Sequence, residues 1–153
     1  MKTPDPPRYA GSVPRNRSLR LFFEYDQTGV RLVSVQRLEM IAPPPQAAVA
    51  PQNQRGSWLE LHDGEGRPLY RRVIDNPLRH DLEVVVDDPR RPLQRVRAAE
   101  PGGAFFLVVP DLPLARTLVL TTEPPPQRTR ARTRPAPLPP LQVNRFELTQ
   151  EGR

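Results

Sequence analysis

The segment "SLRLFFEYDQTGVRLVSVQRL", residues 18–38, decides the fold. Every second residue from Leu19 to Tyr25 is apolar, which is the pattern of a β-strand with one buried face. The sequence "DQTG" follows and supplies a turn with glycine at its end. The apolar pattern then resumes from Val30, so the segment predicts an antiparallel hairpin.

The alternation of the second strand slips by one residue. Val30 and Leu32 share one face, whereas Val33 and Val35 share the opposite face. One extra residue in a strand is what a β-bulge inserts. The sequence therefore predicts a bulge near Leu32–Val33.

The rest of the chain repeats short apolar runs separated by turn residues. "SWLELHDGEGRPLYRRVI" (57–74) is a second hairpin, and residues 41–56, with four prolines, form a loop that crosses the domain. "DLEVVV" and "RTLVLTT" predict short strands, and "QRVRA" a weak edge strand. "AFFLVV" is apolar without interruption, which predicts a central strand whose residues 105–109 are among the most buried.

Seven or eight short strands at spacings of about ten residues, with no amphipathic helical stretch, indicate an all-β protein. We expect an antiparallel β-sandwich of the immunoglobulin-like or fibronectin-III-like kind; a jelly roll or an open barrel is the alternative. At the level of fold, residues 18–122 resemble the small immunoglobulin-like or fibronectin-like accessory domains of bacterial proteins. The resemblance includes no motif that would assign functional residues.

Composition shifts divide the chain into four regions. Residues 1–17 form an extended arm, 18–122 the sandwich domain, 123–142 a linker rich in proline and arginine, and 143–153 a terminal segment. In that last segment the apolar alternation returns, which predicts an edge strand with Phe146 and Leu148 on one face. The strand pairs either with its own domain or with another chain. We favour its own domain, because the tether raises the effective concentration.

Composition also excludes several classes of function. The chain has no cysteine, so disulfides, thiol catalysis and cysteine-based zinc sites are excluded. The net charge is +6, and Lys2 is the only lysine. The arginine excess suits nucleic acid or an acidic partner, but a bias in coding composition explains it better, since the core arginines alternate with acids. The arm has no apolar signal region and no span fits a bilayer, so we expect a cytoplasmic protein without membrane contact if Met1 is the native start.

Residues suited to catalysis or metal binding are few. Only His62 and His80 could serve as a base, and both lie at turns, while no serine lies in a nucleophile-elbow sequence. The acids of the loops occur in ordinary turn sequences and lack the spacing of a calcium site. The sequence predicts no catalytic residue, no metal ligand and no cofactor.

Three groups of residues are candidates for binding a protein partner. Trp58, Tyr70 and Arg72 form an exposed patch if Leu59 and Leu61 point inward, but we favour packing of Trp58 in the core, which would remove this patch. In the linker, arginines at alternate positions form one cationic edge, and the sequence from Arg134 matches Arg-x-x-Pro-x-x-Pro, a polyproline ligand pattern. The terminal segment is the third candidate. The linker and terminal candidates are Arg128, Arg130, Arg132, Arg134, Pro137, Pro140, Phe146 and Leu148.

These observations favour a non-catalytic protein-binding or scaffolding β-sandwich, such as an accessory subunit of a larger bacterial assembly. Nucleic-acid association through the arginine-rich linker is the first alternative. A hydrolase or glycan-active domain is the second.

Overall fold

A computed structural model describes residues 16–47, 56–78, 81–85, 89–90, 92–97, 102–123 and 140–148. Within these ranges the chain forms β-strands and irregular segments and no helix. The strands are β1 (Ser18–Asp26), β2 (Gly29–Leu38), β3 (Ser57–His62), β4 (Pro68–Ile74), β5 (Asp81–Val85), β6 (Leu93–Arg97), β7 (Gly103–Pro110), β8 (Thr117–Thr122) and β9 (Gln142–Glu147).

Two antiparallel sheets make up the body of the protein. The first has three strands in the order β2-β1-β7, and the second has four strands in the order β4-β3-β8-β9. Strands β5 and β6 pair with each other in a separate two-stranded sheet. The prediction of an all-β protein built from antiparallel sheets is therefore confirmed for the described residues.

The inner faces of the two large sheets enclose one hydrophobic core. The alternating residues of β1 supply one wall, and those of β3 and β8 supply the other. Phe23 on β1 contacts Phe146 on β9 edge-on, with ring centroids 5.0 Å apart. The core consists of Leu19, Leu21, Phe23, Leu59, Leu61, Tyr70, Val109, Ala115, Leu118, Leu120 and Leu148.

The hairpin predicted over 18–38 is confirmed, including its bulge. Asp26 and Gly29 flank the turn, where the Asp26 carboxylate accepts a hydrogen bond from the Thr28 backbone N–H at 2.7 Å. Phe22 pairs with Ser34 and Phe23 with Leu32, which leaves Val33 as the extra residue of β2. The slip keeps Val30 and Leu32 packed against the core.

The prediction for residues 105–109 is wrong in part. Strand β7 pairs with β1 and lies at the edge of the three-stranded sheet, not at its centre. Val109 is buried, but Phe105, Leu107 and Val108 are only half-buried and Phe106 is 57% exposed. The apolar run is unbroken because the residues of β7 that face away from the core, such as Phe106, are apolar as well.

Strand β9 brings the terminal segment back to the sandwich. It pairs antiparallel with β8 and forms the edge of the four-stranded sheet. Phe146 packs against the core, and Leu148 is buried and donates its backbone N–H to Arg116 O at 2.7 Å. The two side chains share the core side, as their spacing predicts.

The opposite edge of the four-stranded sheet is covered by the segment 43–47. Gln46 donates its backbone N–H to Arg71 O at 2.8 Å, and its side-chain oxygen accepts the Val73 N–H at 2.7 Å. Pro43 O accepts the Tyr70 hydroxyl at 2.8 Å. These contacts satisfy backbone groups at the edge of β4, where a proline-rich segment discourages further strand pairing.

Candidate interaction surface

Two phenylalanines lie side by side on the outer face of the three-stranded sheet. Phe22 on β1 and Phe106 on β7 are direct partners in the strand register, so both side chains project away from the core. Their ring centroids are 6.1 Å apart and the rings are inclined at 48°. This spacing is within the range of favourable aromatic pairs.

Arg20 lies beside this aromatic pair on the same face. Its guanidinium carbon is 6.0 Å from the Phe22 ring centroid and 5.5 Å from the Phe106 centroid. The two rings therefore hold the cation by cation–π attraction. Arg20 Nε is buried and has no hydrogen-bond acceptor among the described residues. The side chain is thus ordered by the rings and still lacks an acceptor for this donor.

The aromatic face is the surface formed by Arg20, Phe22, Phe106 and Val108. Phe106 is the most exposed aromatic residue of this face. Exposed aromatic and arginine side chains on a rigid element have the composition of energetic hot spots in protein interfaces. At the far end of the same face, Glu24 forms a 3.0 Å ion pair with Arg31 on β2.

The outer face of the four-stranded sheet differs, because its centre is buried. Trp58 is 7% exposed, and the Arg71 guanidinium carbon lies 5.3 Å from its ring centroid. Glu60 separates two basic groups: its carboxylate is 3.6 Å from Arg71 Nε and 3.1 Å from His62 Nε2. Arg71 Nη1 also donates to Ala47 O at 3.1 Å. Arg71 Nε has no hydrogen-bond acceptor among the described residues, so these contacts only partly compensate the buried charge. The burial of Trp58 and Arg71 leaves little surface for a partner at the centre of this face.

The structure separates the three residues of the predicted tryptophan patch. Trp58 projects outward, as it does if Leu59 and Leu61 point inward, but it is buried. Tyr70 is fully buried in the core, and this burial raises the pKa of its hydroxyl. Arg72 donates to Pro44 O at 3.1 Å instead of joining Trp58. The three side chains therefore form no common exposed patch.

The other candidates divide into packed, exposed and undescribed residues. Phe146 and Leu148 pack against their own domain. Pro140 is exposed at the start of the last described range. Arg128, Arg130, Arg132, Arg134 and Pro137 lie outside the described residues.

The histidine that the structure describes contacts an acid and no nucleophile. His62 and Glu60 are two residues apart on one strand face, and within the described ranges no serine or threonine hydroxyl bonds to the His62 ring. His80 lies outside those ranges. Among the described residues, no three His, Cys, Asp or Glu side chains lie close enough together to hold a metal ion. The contact between Glu60 and His62 therefore serves to hold these two side chains in place on one strand face.

Comparison with known proteins gives no match to this chain. It matches no protein-family model, no curated protein and no solved structure. Among the residues that the structure covers, no helix is long and apolar enough to span a membrane.

Sequence reasoning did not identify Arg20, Phe22 or Phe106 as site residues. The alternation of β1 indicates that Arg20 and Phe22 face away from the core, but it does not reveal that Phe106 lies opposite them. A signal for the edge position of β7 was present in Pro110, since proline in a sheet favours an edge strand.

Proposed function

We propose that this chain is a non-catalytic protein-binding β-sandwich and that the aromatic face is its binding surface. The observation that carries the proposal is the 57% exposure of Phe106, a large aromatic side chain in register with Phe22 on a regular sheet. Burial of an exposed aromatic residue by a partner removes apolar area from water and strongly favours association.

The chemistry of the face also indicates which groups a protein partner would present to it. Arg20 is held over the two rings, and its side chain stays partly exposed. A partner that supplies an apolar group to Phe106 and an oxygen acceptor to the accessible part of the Arg20 side chain would match this face. Because the face lies on paired strands, it needs little reorganisation on binding.

Site-specific photo-crosslinking in the native host tests this proposal. A photoreactive phenylalanine analogue at Phe106 should form a covalent adduct with a protein. The matched control carries the analogue at Leu114, which is 64% exposed but lies outside the aromatic face. We expect Phe106→Ala to weaken binding of the captured protein about tenfold or more. Equal adduct patterns at both positions, or no adduct at Phe106, would contradict the proposal.

The immunoglobulin-like or fibronectin-III-like assignment belongs to the same proposal. It is supported by two antiparallel sheets of three and four strands around one core. The position of β1 in the centre of its sheet differs from the immunoglobulin order, in which the first strand lies at an edge.

Nucleic-acid association through the arginine-rich linker is tested separately. Replacement of Arg128, Arg130, Arg132 and Arg134 by serine should abolish any salt-dependent binding to unrelated duplexes if the linker is responsible. The Phe106→Ala variant serves as the control, because it leaves the linker unchanged.

A further inference from the structure

Among the described strands, β7 pairs only with β1, and one hydrogen bond shows which of its residues face the other, free edge. Asp111 donates its backbone N–H to Arg17 O at 3.1 Å, and these two residues continue the β1–β7 register. In an antiparallel pair, hydrogen-bonded and non-hydrogen-bonded residue pairs alternate. Residues 103, 105, 107 and 109 therefore direct their backbone groups toward β1. Ala104, Phe106 and Val108 direct theirs toward the free edge.

The free edge of β7 also lacks the usual protection against strand pairing. Among the sheet-edge strands β2, β4, β7 and β9, only β7 carries no charged residue. No described segment pairs with its outer edge, whereas the segment 43–47 covers that of β4. An uncharged apolar edge is a template for pairing with another strand. Pro110, which has no N–H to donate, limits that template at one end.

We propose that β7 pairs with β7 of a second copy of this chain, antiparallel and about a two-fold axis at Phe106. This inference rests on the proposed function, because it makes a second copy the protein that contacts Phe106, the most exposed residue of the aromatic face. It joins the two three-stranded sheets into one continuous sheet. A two-fold arrangement of this kind is the commonest symmetry of protein dimers.

The register of this pairing is set by the outward residues. With Phe106 opposite its symmetry mate, Ala104 of each copy lies opposite Val108 of the other. Each of these pairs exchanges two backbone hydrogen bonds, so all the outward N–H groups of the edge are satisfied. Any shifted register leaves at least one of the three outward residues without its partner. The Phe22–Phe106 pair of one copy then lies beside the Phe106–Phe22 pair of the second copy, on the same face of the joined sheet.

The charge pattern beside the edge favours antiparallel pairing with a second copy. On the aromatic face, Glu24 lies beside Ala104 and Arg20 lies beside Val108. Antiparallel pairing therefore forms a row that begins with Glu24 of one copy and ends with Arg20 of the other, and the symmetry repeats it. Three strand spacings, about 14 Å, separate these two charges, so their attraction is weak. A parallel arrangement would instead place like charges at the two ends of each row, and the pattern therefore favours the antiparallel orientation.

A charge-swap experiment on the full chain tests the pairing. Sedimentation of the unmodified protein should give a concentration-dependent monomer–dimer equilibrium. Phe106→Lys and Phe106→Glu should each sediment as monomers, because like charges lie opposite each other at the axis. An equimolar mixture of the two variants should recover the dimer, since lysine then faces glutamate. Val143→Lys, at a similarly exposed position on β9, should dimerise like the unmodified protein.

Circular dichroism and thermal melting of the dilute variants show whether each one folds. If the unmodified chain is a monomer, if Phe106→Lys still dimerises, or if the folded variants do not recover the dimer when mixed, the second-copy inference is wrong. A different polypeptide crosslinked at Phe106 together with a monomeric chain would also overturn this inference. That result would leave the proposed function standing, whereas the absence of any adduct at Phe106 would remove both.

Discussion

Leu61 and Phe106 are both large apolar residues on β-strands, but their environments are opposite. Leu61 is fully buried between the sheets, and Phe106 is 57% exposed on the outer face. Truncation of a buried leucine removes its transfer free energy and leaves a cavity. We expect Leu61→Ala to lower the free energy of unfolding by about 2–5 kcal/mol. Urea unfolding of dilute protein measures this loss.

Phe106→Ala provides the matched comparison at the same scale. Because most of the ring is already in water, this substitution should lower the free energy of unfolding of dilute protein by less than about 1.5 kcal/mol. It should nevertheless reduce partner binding. A loss of stability equal to that of Leu61→Ala would mean that Phe106 is part of the core in solution.

Asp63 gives the fold a specific dependence on pH. Its carboxylate accepts the backbone N–H groups of Glu65 and Arg67, each at 2.9 Å, and Arg67 Nε at 2.8 Å. The Arg67 backbone hydrogen bond is the largest cause that lowers the pKa of Asp63, and the Arg67 side chain adds to it against the opposing effect of burial. A carboxyl group whose pKa is lower in the folded state stabilises that state above its unfolded pKa. The contribution is lost as the pH falls through the folded pKa.

We expect Asp63→Asn to be less stable than the unmodified protein at pH 7. The difference should shrink as the pH falls from the unfolded carboxyl pKa of about 3.9 through the lower folded pKa of Asp63, where the carboxyl group becomes protonated in the folded protein as well. Urea unfolding at pH 7 and at low pH measures both differences. Glu65→Gln is the control, because the Glu65 side chain is 73% exposed and its ion pair with Arg67 is solvated. A difference that does not change with pH would contradict this role for Asp63.

At the level of elements, β9 is held to the sandwich by both its ladder and its side chains. It pairs with β8 from Thr117 to Thr122, and Phe146 contacts the Phe23 ring. Removal of residues 141–153 should lower the melting temperature, because each buried apolar side chain contributes roughly 1.5–3 kcal/mol before the entropy of ordering the segment is subtracted. The newly exposed edge of β8 should also promote aggregation. Thermal melting and light scattering measure the two effects.

Val143→Ala is the control for that truncation, since Val143 lies on the same strand but is 55% exposed. It should melt close to the unmodified protein. A truncated chain that melts unchanged and does not aggregate would mean that β9 does not contribute to the stability of the sandwich.

The elements differ in how far their sequences predict them. The hairpin from 18 to 38 and its bulge at Val33 follow from alternation within neighbouring residues, which is a local signal. The position of β7 depends on pairing between Ser18 and Pro110, which are far apart in sequence. An unbroken apolar run fits a central strand and an edge strand with an apolar outer face equally well. Alternation and turn residues therefore predicted where strands occur and which strands form hairpins, but not which strands from distant parts of the chain are neighbours.

The candidate site was harder to predict for the same reason. Arg20, Phe22 and Phe106 form one face only through the β1–β7 register. Trp58, by contrast, lies on the strand face opposite to Leu59 and Leu61, yet it is buried beside Arg71. Local pattern gives the direction of a side chain on a strand. Its exposure depends on which segments cover that face, and these come from distant parts of the chain.

For the whole molecule, the proposed pairing of β7 links stability to protein concentration. A dimer that forms only from folded chains stabilises the folded state by mass action, so its melting temperature rises with concentration. We expect this rise for the unmodified protein and for Val143→Lys, measured by calorimetry over a wide concentration range. Phe106→Lys should melt at one temperature at every concentration, close to that of the most dilute unmodified protein, because Phe106 contributes to the contact between copies and little to the fold of one copy. If all three proteins melt independently of concentration, the folded chains do not pair over that range, and the proposed dimer through β7 is wrong.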